Sequence, residues 1–139
     1  METLKALGIE NVVSVGMIGG YSSLINVGDI IIPPLAYSEE GTSLHYFENE
    51  EYYKPNEKLF KAAVGFVENC KQHSIVSTDA VYRQTFYKEA LWRKKGAVGV
   101  DMETSALFSV GNYLDLNVVA LLMVSDIHPL DENENKWSW

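Results

Sequence analysis

The stretch GAVGVDMETSALFSVGNYLDLNVVALLMVSDIH, residues 96–128, carries the alternation that decides the fold. An apolar segment ending at Asp101 runs into a small-residue helix that starts near Glu103, and a second apolar segment ends at Asp126. The second segment is apolar on both faces, which is typical of a strand inside a sheet covered by helices on each side. Because a carboxylate at the end of such a strand is costly to desolvate, we expect Asp101 and Asp126 to have a structural or functional role there.

Strand and helix patterns alternate upstream as well. HSIVSTD is predicted to be a strand, and TFYKEALWRKKG a helix that ends at Gly96. PNEKLFKAAVGFVENCKQ is the clearest helix, with one apolar face formed by Leu59, Ala62, Ala63, Phe66, Val67 and Cys70. NVVSVGM, followed by a break at Gly19 and Gly20, and VGDIIIPP are predicted strands, and YSEEGTSLHYFENEEYYKP is a loop or an edge hairpin.

This alternation predicts an α/β fold, a three-layer sandwich of a sheet between helices. Its length fits a single domain spanning residues 1–139. In such folds the sites lie at the carboxyl ends of the strands. We therefore expect the strand ends near Ser77, Asp101 and Asp126 to converge on one cleft.

Composition excludes several classes of function. With Lys+Arg 11 against Asp+Glu 19, the formal net charge of -8 argues against nucleic acid as a partner, because phosphate binding needs a basic face. We find no apolar run of membrane-span length and no signal-peptide pattern, so we expect no membrane partner and a cytoplasmic location. The single cysteine, Cys70, is predicted to pack in the core, and the three histidines lie far apart in sequence, so we predict no bound metal.

Five strings resemble, in order and spacing, the purine nucleoside and uridine phosphorylases and their nucleosidase relatives: VGDIIIP, EGTSLHY, STDAVYRQT, VGVDMETSALF and LLMVSD. The most specific part is the acidic-Met-Glu triplet followed by a small-residue helix and, one strand later, Ser-Asp. The resemblance implies an α/β sandwich around a mixed central sheet. It also implies a reaction that breaks the bond between ribose C1′ and a base nitrogen, with no cofactor and with inorganic phosphate as co-substrate.

The resemblance assigns roles to the acidic residues. Glu103 would accept hydrogen bonds from the ribose hydroxyls, Met102 would pack against the sugar, and Asp126 would be the catalytic acid at purine N7. These residue types suit a transition state in which positive charge grows on the sugar and negative charge on the leaving base. Protonating a base at neutral pH requires a buried acid, and the apolar strand before Asp126 would provide that burial.

The same resemblance places a base pocket around Val81, Tyr82, Arg83 and Ser125. Uridine phosphorylases read uracil with a Gln and an Arg farther along this loop. The aligned positions here are Thr85 and Tyr87, so together with Asp126 the substrate prediction leans toward a purine. GTSLHY, in contrast, resembles the uridine-specific branch most. Any one acidic residue at a strand end is more often a helix cap or a loop contact than a catalyst, and the three strand ends together favour function.

The aromatic segment LHYFENEEYYKP is predicted to carry a subunit contact. His45 and Tyr46 would lie near the site or at this contact, although a loop histidine of no special role is the commoner case. We therefore expect a homo-oligomer. Trp137 and Trp139 would either cover part of this surface or form a loose end.

The phosphate site departs from the family pattern. Ser14 stands where the phosphorylases have an Arg, and Met17 where they have a hydroxyl. Backbone amides around Gly16, Gly19 and Gly20 are a candidate anion site, and an ordinary glycine turn is the simpler interpretation.

Several alternatives stay open from the sequence. The chain is either a fragment of a longer enzyme or a shortened relative, and hydrolysis by a nucleosidase is an alternative to phosphorolysis. A silent nucleoside-binding or assembly subunit and a purely structural α/β domain are the non-enzymatic hypotheses.

Overall fold

A computed structural model of the chain describes residues 1–48, 50–131 and 133. Its helices are α1 (Glu2–Ala6), α2 (Glu57–Phe66), α3 (Phe86–Lys94) and α4 (Thr104–Tyr113). Its strands are β1 (Asn11–Gly20), β2 (Ile30–Ile31), β3 (Ala36–Glu39), β4 (Tyr52–Tyr53), β5 (Ser74–Thr78), β6 (Ala97–Asp101) and β7 (Asn117–Ile127). Short 3-10 turns span Thr42–His45 and Val81–Arg83. Trp137 and Trp139 lie outside the described residues.

These strands form one mixed sheet in the order β2-β7-β1-β6-β5-β3-β4. Strands β7 and β1 are parallel, as are β6, β5 and β3, and the two groups run in opposite directions. They meet where β1 pairs with β6 through Gly19 opposite Val100 and Gly20 opposite Gly99. Because both pairs lie at the carboxyl ends of their strands, the antiparallel overlap brings the ends of both groups together. The predicted mixed α/β fold is confirmed.

Helix α4 covers the sheet through contacts with β7, β3 and β5. Phe108 is fully buried, and Gly111 lets the helix approach Val118 on β7 so closely that a Cβ at Gly111 would lie 2.3 Å from a Val118 methyl carbon. A second apolar cluster joins α3 to the sheet through Trp92, whose ring centroid lies 5.6 Å from that of Tyr21. These two contacts fix the helices that follow β5 and β6.

One face of β1 is not covered by the described residues. Val13, Val15 and Met17 are 56%, 80% and 62% exposed, and Met123 on the neighbouring β7 is 43% exposed. The helices of this chain therefore leave an apolar strip of sheet open on this side, in contrast to the expectation that β7 is covered on both faces.

Two predicted elements are shorter than their patterns. Helix α2 ends at Phe66 instead of continuing through Cys70, because Val67 is extended and Asn69 takes a left-handed φ of 57° that asparagine tolerates. Phe66 is exposed and Cys70 is only partly buried, so the predicted core role of Cys70 is wrong. Strand β2 keeps only two residues of VGDIIIPP, since the prolines that follow cannot donate to a ladder.

The edge hairpin predicted for residues 37–55 is confirmed in part. Strands β3 and β4 pair antiparallel at the edge of the sheet. Within the described ranges, no helix has both the length and the apolar character needed to cross a membrane.

Gly111→Ala is expected to lower the free energy of unfolding by about 1–2 kcal/mol, although alanine is the better helix former. The added methyl meets Val118, a buried β-branched side chain whose χ1 is restricted. Gly65→Ala in α2 is the matched control, because a Cβ there meets nothing within 4 Å. It should raise stability by up to ~1 kcal/mol. Urea unfolding measures the free energy of unfolding of both variants. Equal changes in this free energy would contradict the tight approach of α4 to β7.

Candidate active site

A cavity of about 580 Å³ opens where the carboxyl ends of β1, β5, β6 and β7 meet. The segment that leads into α3 also lines the cavity. Its lining residues are Gly19, Thr78, Val81, Tyr82, Gln84, Thr85, Phe86, Glu89, Val100, Asp101, Met102, Asp126, His128 and Pro129. The predicted convergence of strand ends on one cleft is therefore observed.

Asp126 is aimed into this cavity by an irregularity in β7. Ile18 pairs with Val124, but the next residue of β1, Gly19, pairs with Asp126, so Ser125 is the extra residue of a bulge. A Cβ on Gly19 would lie 3.5 Å from Asp126 Oδ2, which shows that the carboxylate occupies the space above this glycine. Ser125 Oγ lies 2.6 Å from Asp126 Oδ1 and 3.1 Å from the Ile18 carbonyl oxygen, so its hydroxyl proton is offered to one of these acceptors.

Asp101 is a structural carboxylate, although it also lines the cavity. It accepts hydrogen bonds from Ser77 Oγ at 2.5 Å and from the Thr104 backbone N–H at 3.2 Å, which join β5, β6 and the start of α4. Burial raises the pKa of Asp101, and the Glu103 charge adds to this, whereas the hydrogen bonds from Ser77 and Thr104 oppose it. The acid at this strand end therefore joins β6 to β5 and to the first backbone N–H of α4.

Glu103 does not line the cavity. It is exposed, and its Oε2 accepts a hydrogen bond of 3.2 Å from the backbone N–H of Met102. Met102, which does line the cavity, stands between Asp101 and Glu103. The predicted role of Glu103 in binding the ribose hydroxyls stays a prediction.

The predicted base-side residues divide in the same way. Val81 and Tyr82, on the 3-10 turn, line the cavity, and Tyr82 is 98% exposed. Arg83 is exposed and does not line the cavity. Ser125 does not line it either, but its hydroxyl contacts the Asp126 carboxylate. Phe86, at the first position of α3, adds an aromatic ring that the sequence patterns did not assign.

His45 and Tyr46 lie away from the cavity. His45 is exposed, and the Tyr46 ring packs edge-on against Tyr113 with its hydroxyl donating to Glu2 Oε1 at 3.2 Å. Neither His45 nor Tyr46 lines the cavity. The subunit contact predicted for these two residues stays a prediction.

Glu40, which is 5% exposed, holds the turn next to His45 and Tyr46 in place by hydrogen bonds. Ser38 Oγ and Ser105 Oγ donate to its carboxylate at 2.8 Å and 2.9 Å. Burial would raise the pKa of Glu40, but these bonds and those from Ser43 outweigh it and hold the pKa below its usual value. Glu40 is therefore an anchor for the loop.

The glycine turn predicted near Gly19 is wrong. Gly16, Gly19 and Gly20 all lie in the extended strand β1, and none of them has a positive φ. Amides of an extended strand point alternately to its two neighbours, so they do not form the concave nest that holds an anion. Phosphate binding at these residues stays a prediction without a turn to support it.

A cluster that the sequence patterns missed lies beside Asp126. His128 Nδ1 lies 2.8 Å from Glu89 Oε1, and Gln84 Nε2 donates to the same oxygen at 2.7 Å. Glu89 is 3% exposed, which is rare for a glutamate. The sequence signal that could have found it is its place three residues before Trp92, on the buried side of the helix.

Metal binding has no geometric support in the part of the chain that the structure describes. No group of three or more His, Cys, Asp or Glu side chains there is arranged to hold an ion. The predicted absence of a metal stays a prediction.

The match to known families covers almost the whole chain. The family model described as "Phosphorylase superfamily" matches residues 1–138. The chain belongs to the phosphorylase superfamily. The resemblance seen in the sequence is thereby confirmed.

Three relatives show the range of this superfamily. A DeoD-type purine nucleoside phosphorylase from Clostridium beijerinckii is 31% identical over 130 residues, covering 90% of this chain and 55% of that protein. Uridine phosphorylase from Vibrio fischeri ES114 matches with a TM-score of 0.79 at 31% identity, covering 93% of this chain and 55% of that one. AMP nucleosidase from Bacteroides thetaiotaomicron VPI-5482 matches with a TM-score of 0.77 at 28% identity, covering 88% and 54%. This phosphorylase-superfamily chain spans about half the length of the relatives it matches.

Asp101→Asn is expected to change how stability depends on pH. Because folding raises the pKa of Asp101 above the ordinary 3.8, the folded state binds more protons than the unfolded state just above that pH. The contribution of the carboxyl is fully present below pH 3.8 and is lost as the pH rises through the folded pKa. Urea unfolding from about pH 4 to pH 7 should therefore show wild type losing stability relative to the variant.

The control for this experiment is Asp115→Asn, which removes an exposed carboxylate at a left-handed position that asparagine accepts. The pH-dependent difference at Asp101 should exceed that of the control. A constant difference, or one of opposite sign, would contradict the burial argument.

Proposed function

We propose that the protein cleaves the N-glycosidic bond of a purine nucleoside, with inorganic phosphate as the acceptor of the ribosyl group. The observation that carries the proposal is Asp126, which the β7 bulge turns into a cavity that is also lined by Val81, Tyr82 and Phe86. A cavity of about 580 Å³ is within the usual range for small-molecule sites. Membership of the superfamily supports the reaction class.

The chemistry follows from the charges that develop in the reaction. As the C1′–N bond breaks, electrons move into the base, and a proton from Asp126 to the purine nitrogen neutralises them. The apolar lining suits a flat base, and Met102 and the exposed Glu103 are proposed to contact the sugar. Thr85 and Tyr87 stand where uracil would need amide and guanidinium donors, which favours a purine.

Hydrolysis of the same bond is the second candidate, and a specific observation favours it. Ser14 and the exposed Met17 occupy the positions of the phosphate-binding Arg and hydroxyl, and Gly19 and Gly20 are extended. Water needs no such cradle. One of the structural neighbours described above is an AMP nucleosidase.

Asp126→Asn is expected to lower base release by about 100-fold or more, because the amide cannot donate a proton to the base. Inosine, adenosine and uridine are each incubated with the protein, with and without phosphate, and the free base is quantified by chromatography. Phosphate-dependent release from the purine nucleosides is the expected result. Asp115→Asn, an exposed change of the same type, should leave the rate unchanged.

Each other outcome has a distinct meaning. Release that does not depend on phosphate replaces phosphorolysis by hydrolysis. An absence of release in both conditions refutes the proposed enzyme for this chain. If nucleosides then still raise the melting temperature, the chain is a nucleoside-binding subunit, since ligands of the folded state stabilise it by mass action.

A further inference from the structure

The cluster beside Asp126 combines three titratable side chains in one wall of the cavity. Asp126 Oδ2 lies 3.5 Å from His128 Nε2, and His128 Nδ1 lies 2.8 Å from Glu89 Oε1. Their side chains are 18%, 15% and 5% exposed, so the chain of contacts is largely shielded from solvent. It runs from a buried carboxylate on α3, through an imidazole, to the carboxylate that faces the cavity.

We propose that His128, oriented by Glu89, shares a proton with Asp126 and returns a proton to it after each turnover. His128 and Glu89 are thus positioning residues for the acid, and their catalytic consequence rests on the proposed function. The order of contacts is the same as in other sites where a carboxylate fixes an imidazole that serves a reacting group.

The first step of the argument is the orientation of the imidazole. Glu89 Oε1 has two nitrogen neighbours, Gln84 Nε2 at 2.7 Å and His128 Nδ1 at 2.8 Å, which lie 3.0 Å from each other. An ionised carboxylate oxygen only accepts hydrogen bonds, so the proton between Oε1 and Nδ1 belongs to the imidazole, and both nitrogens donate to Oε1. With its proton on Nδ1, His128 directs Nε2 toward Asp126.

The second step is the charge of Glu89. Its Oε2 is buried without a hydrogen bond from the described residues, and the guanidinium of Arg93 lies 3.8 Å away on the next turn of α3. A buried carboxylate with an incomplete set of donors is stabilised by a nearby positive charge. The imidazolium form of His128 supplies that charge at 2.8 Å.

The third step is the rigidity of the segment. Arg93 donates to the carbonyl oxygens of Tyr21 at 3.1 Å and Leu130 at 3.4 Å, and the His128 backbone N–H donates to Gly20 at 2.8 Å. These bonds hold the chain on both sides of His128. Gly19 completes the arrangement, because a Cβ there would lie 3.5 Å from both His128 Nε2 and Asp126 Oδ2.

The fourth step is the proton balance. Asp126 gives its proton to the base as the C1′–N bond breaks, and the phosphate or water oxygen forms the new bond to C1′ and loses a proton to solvent. The imidazolium then gives its Nε2 proton to the Asp126 carboxylate, and the neutral ring regains one from solvent. The other charged groups around this exchange are Glu89, Arg93 and the buried Asp101 on β6.

His128→Asn tests the exchange, because the amide nitrogen can keep the donor toward Glu89 while Nε2 is removed. We expect kcat to fall at least about 10-fold, and the pH profile of kcat to lose the limb that His128 contributes. Glu89→Gln should change the same limb. His73→Asn, the same substitution outside the cavity, is the control and should leave both unchanged. Melting temperatures confirm that each variant is folded.

A second measurement does not depend on turnover. The ring signals of the three histidines are followed by NMR across pH, and His128→Asn identifies the signal of residue 128. Asp126→Asn should displace the titration of that signal to lower pH, because an opposite charge that favours the imidazolium is removed. The His73 signal should not move.

The outcomes separate this inference from the proposed function. If the titration of His128 depends on Asp126 but no base is released, the proton-sharing pair is supported and the proposed nucleoside cleavage is refuted. Base release with an unchanged pH profile in folded His128→Asn overturns the inference and leaves the enzyme intact. An uncoupled titration overturns the inference in either case.

Discussion

The structure depends on the antiparallel overlap of β1 and β6, which joins two parallel groups of strands over only two residue pairs. Gly19, Gly20 and Gly99 make this overlap possible: a Cβ on Gly99 would lie 2.9 Å from the Gly19 carbonyl oxygen, and one on Gly20 would lie 2.4 Å from an Ile127 methyl carbon. Because the overlap lies at the carboxyl ends of both groups, it places Asp126, Met102 and the turn after β5 around one cavity. Of these glycines, Gly19 lines the cavity, and its missing side chain leaves room for the side chains of Asp126 and His128.

Much of the fold follows from the sequence because periodicity reports burial. The strands β5, β6 and β7 and the helices between them are where their patterns predict, and Asp126 was found because strand ends collect in one place in α/β folds. The glycines of β1 were misread as a turn, since glycine favours both turns and close approach of backbones. Glu89 and His128 escaped because they are 39 residues apart and meet only through tertiary packing.

Acidic residues in this small acidic protein have divided roles, which explains why their number alone is a poor guide. Asp101 and Glu40 are buried under hydroxyl and amide donors and hold elements together. Glu103 stays in solvent, and Asp101, Glu89 and Asp126 all line the cavity. What distinguishes Asp101 from Asp126 is the partners of each carboxylate: the donors to Asp101 join β5, β6 and α4, whereas Asp126 contacts Ser125 and the imidazole of His128 beside the cavity.

The bulge at Ser125 makes the length of β7 as important as its composition. Side chains alternate between the two faces of a strand, so gaining or losing one residue before position 126 would turn its carboxylate to the opposite face of the sheet. The apolar residues of β7 can exchange for one another with small losses, whereas an insertion or deletion there would move the acid out of the cavity. The position of the acid therefore depends more on the residue count of this strand than on its apolar residue types.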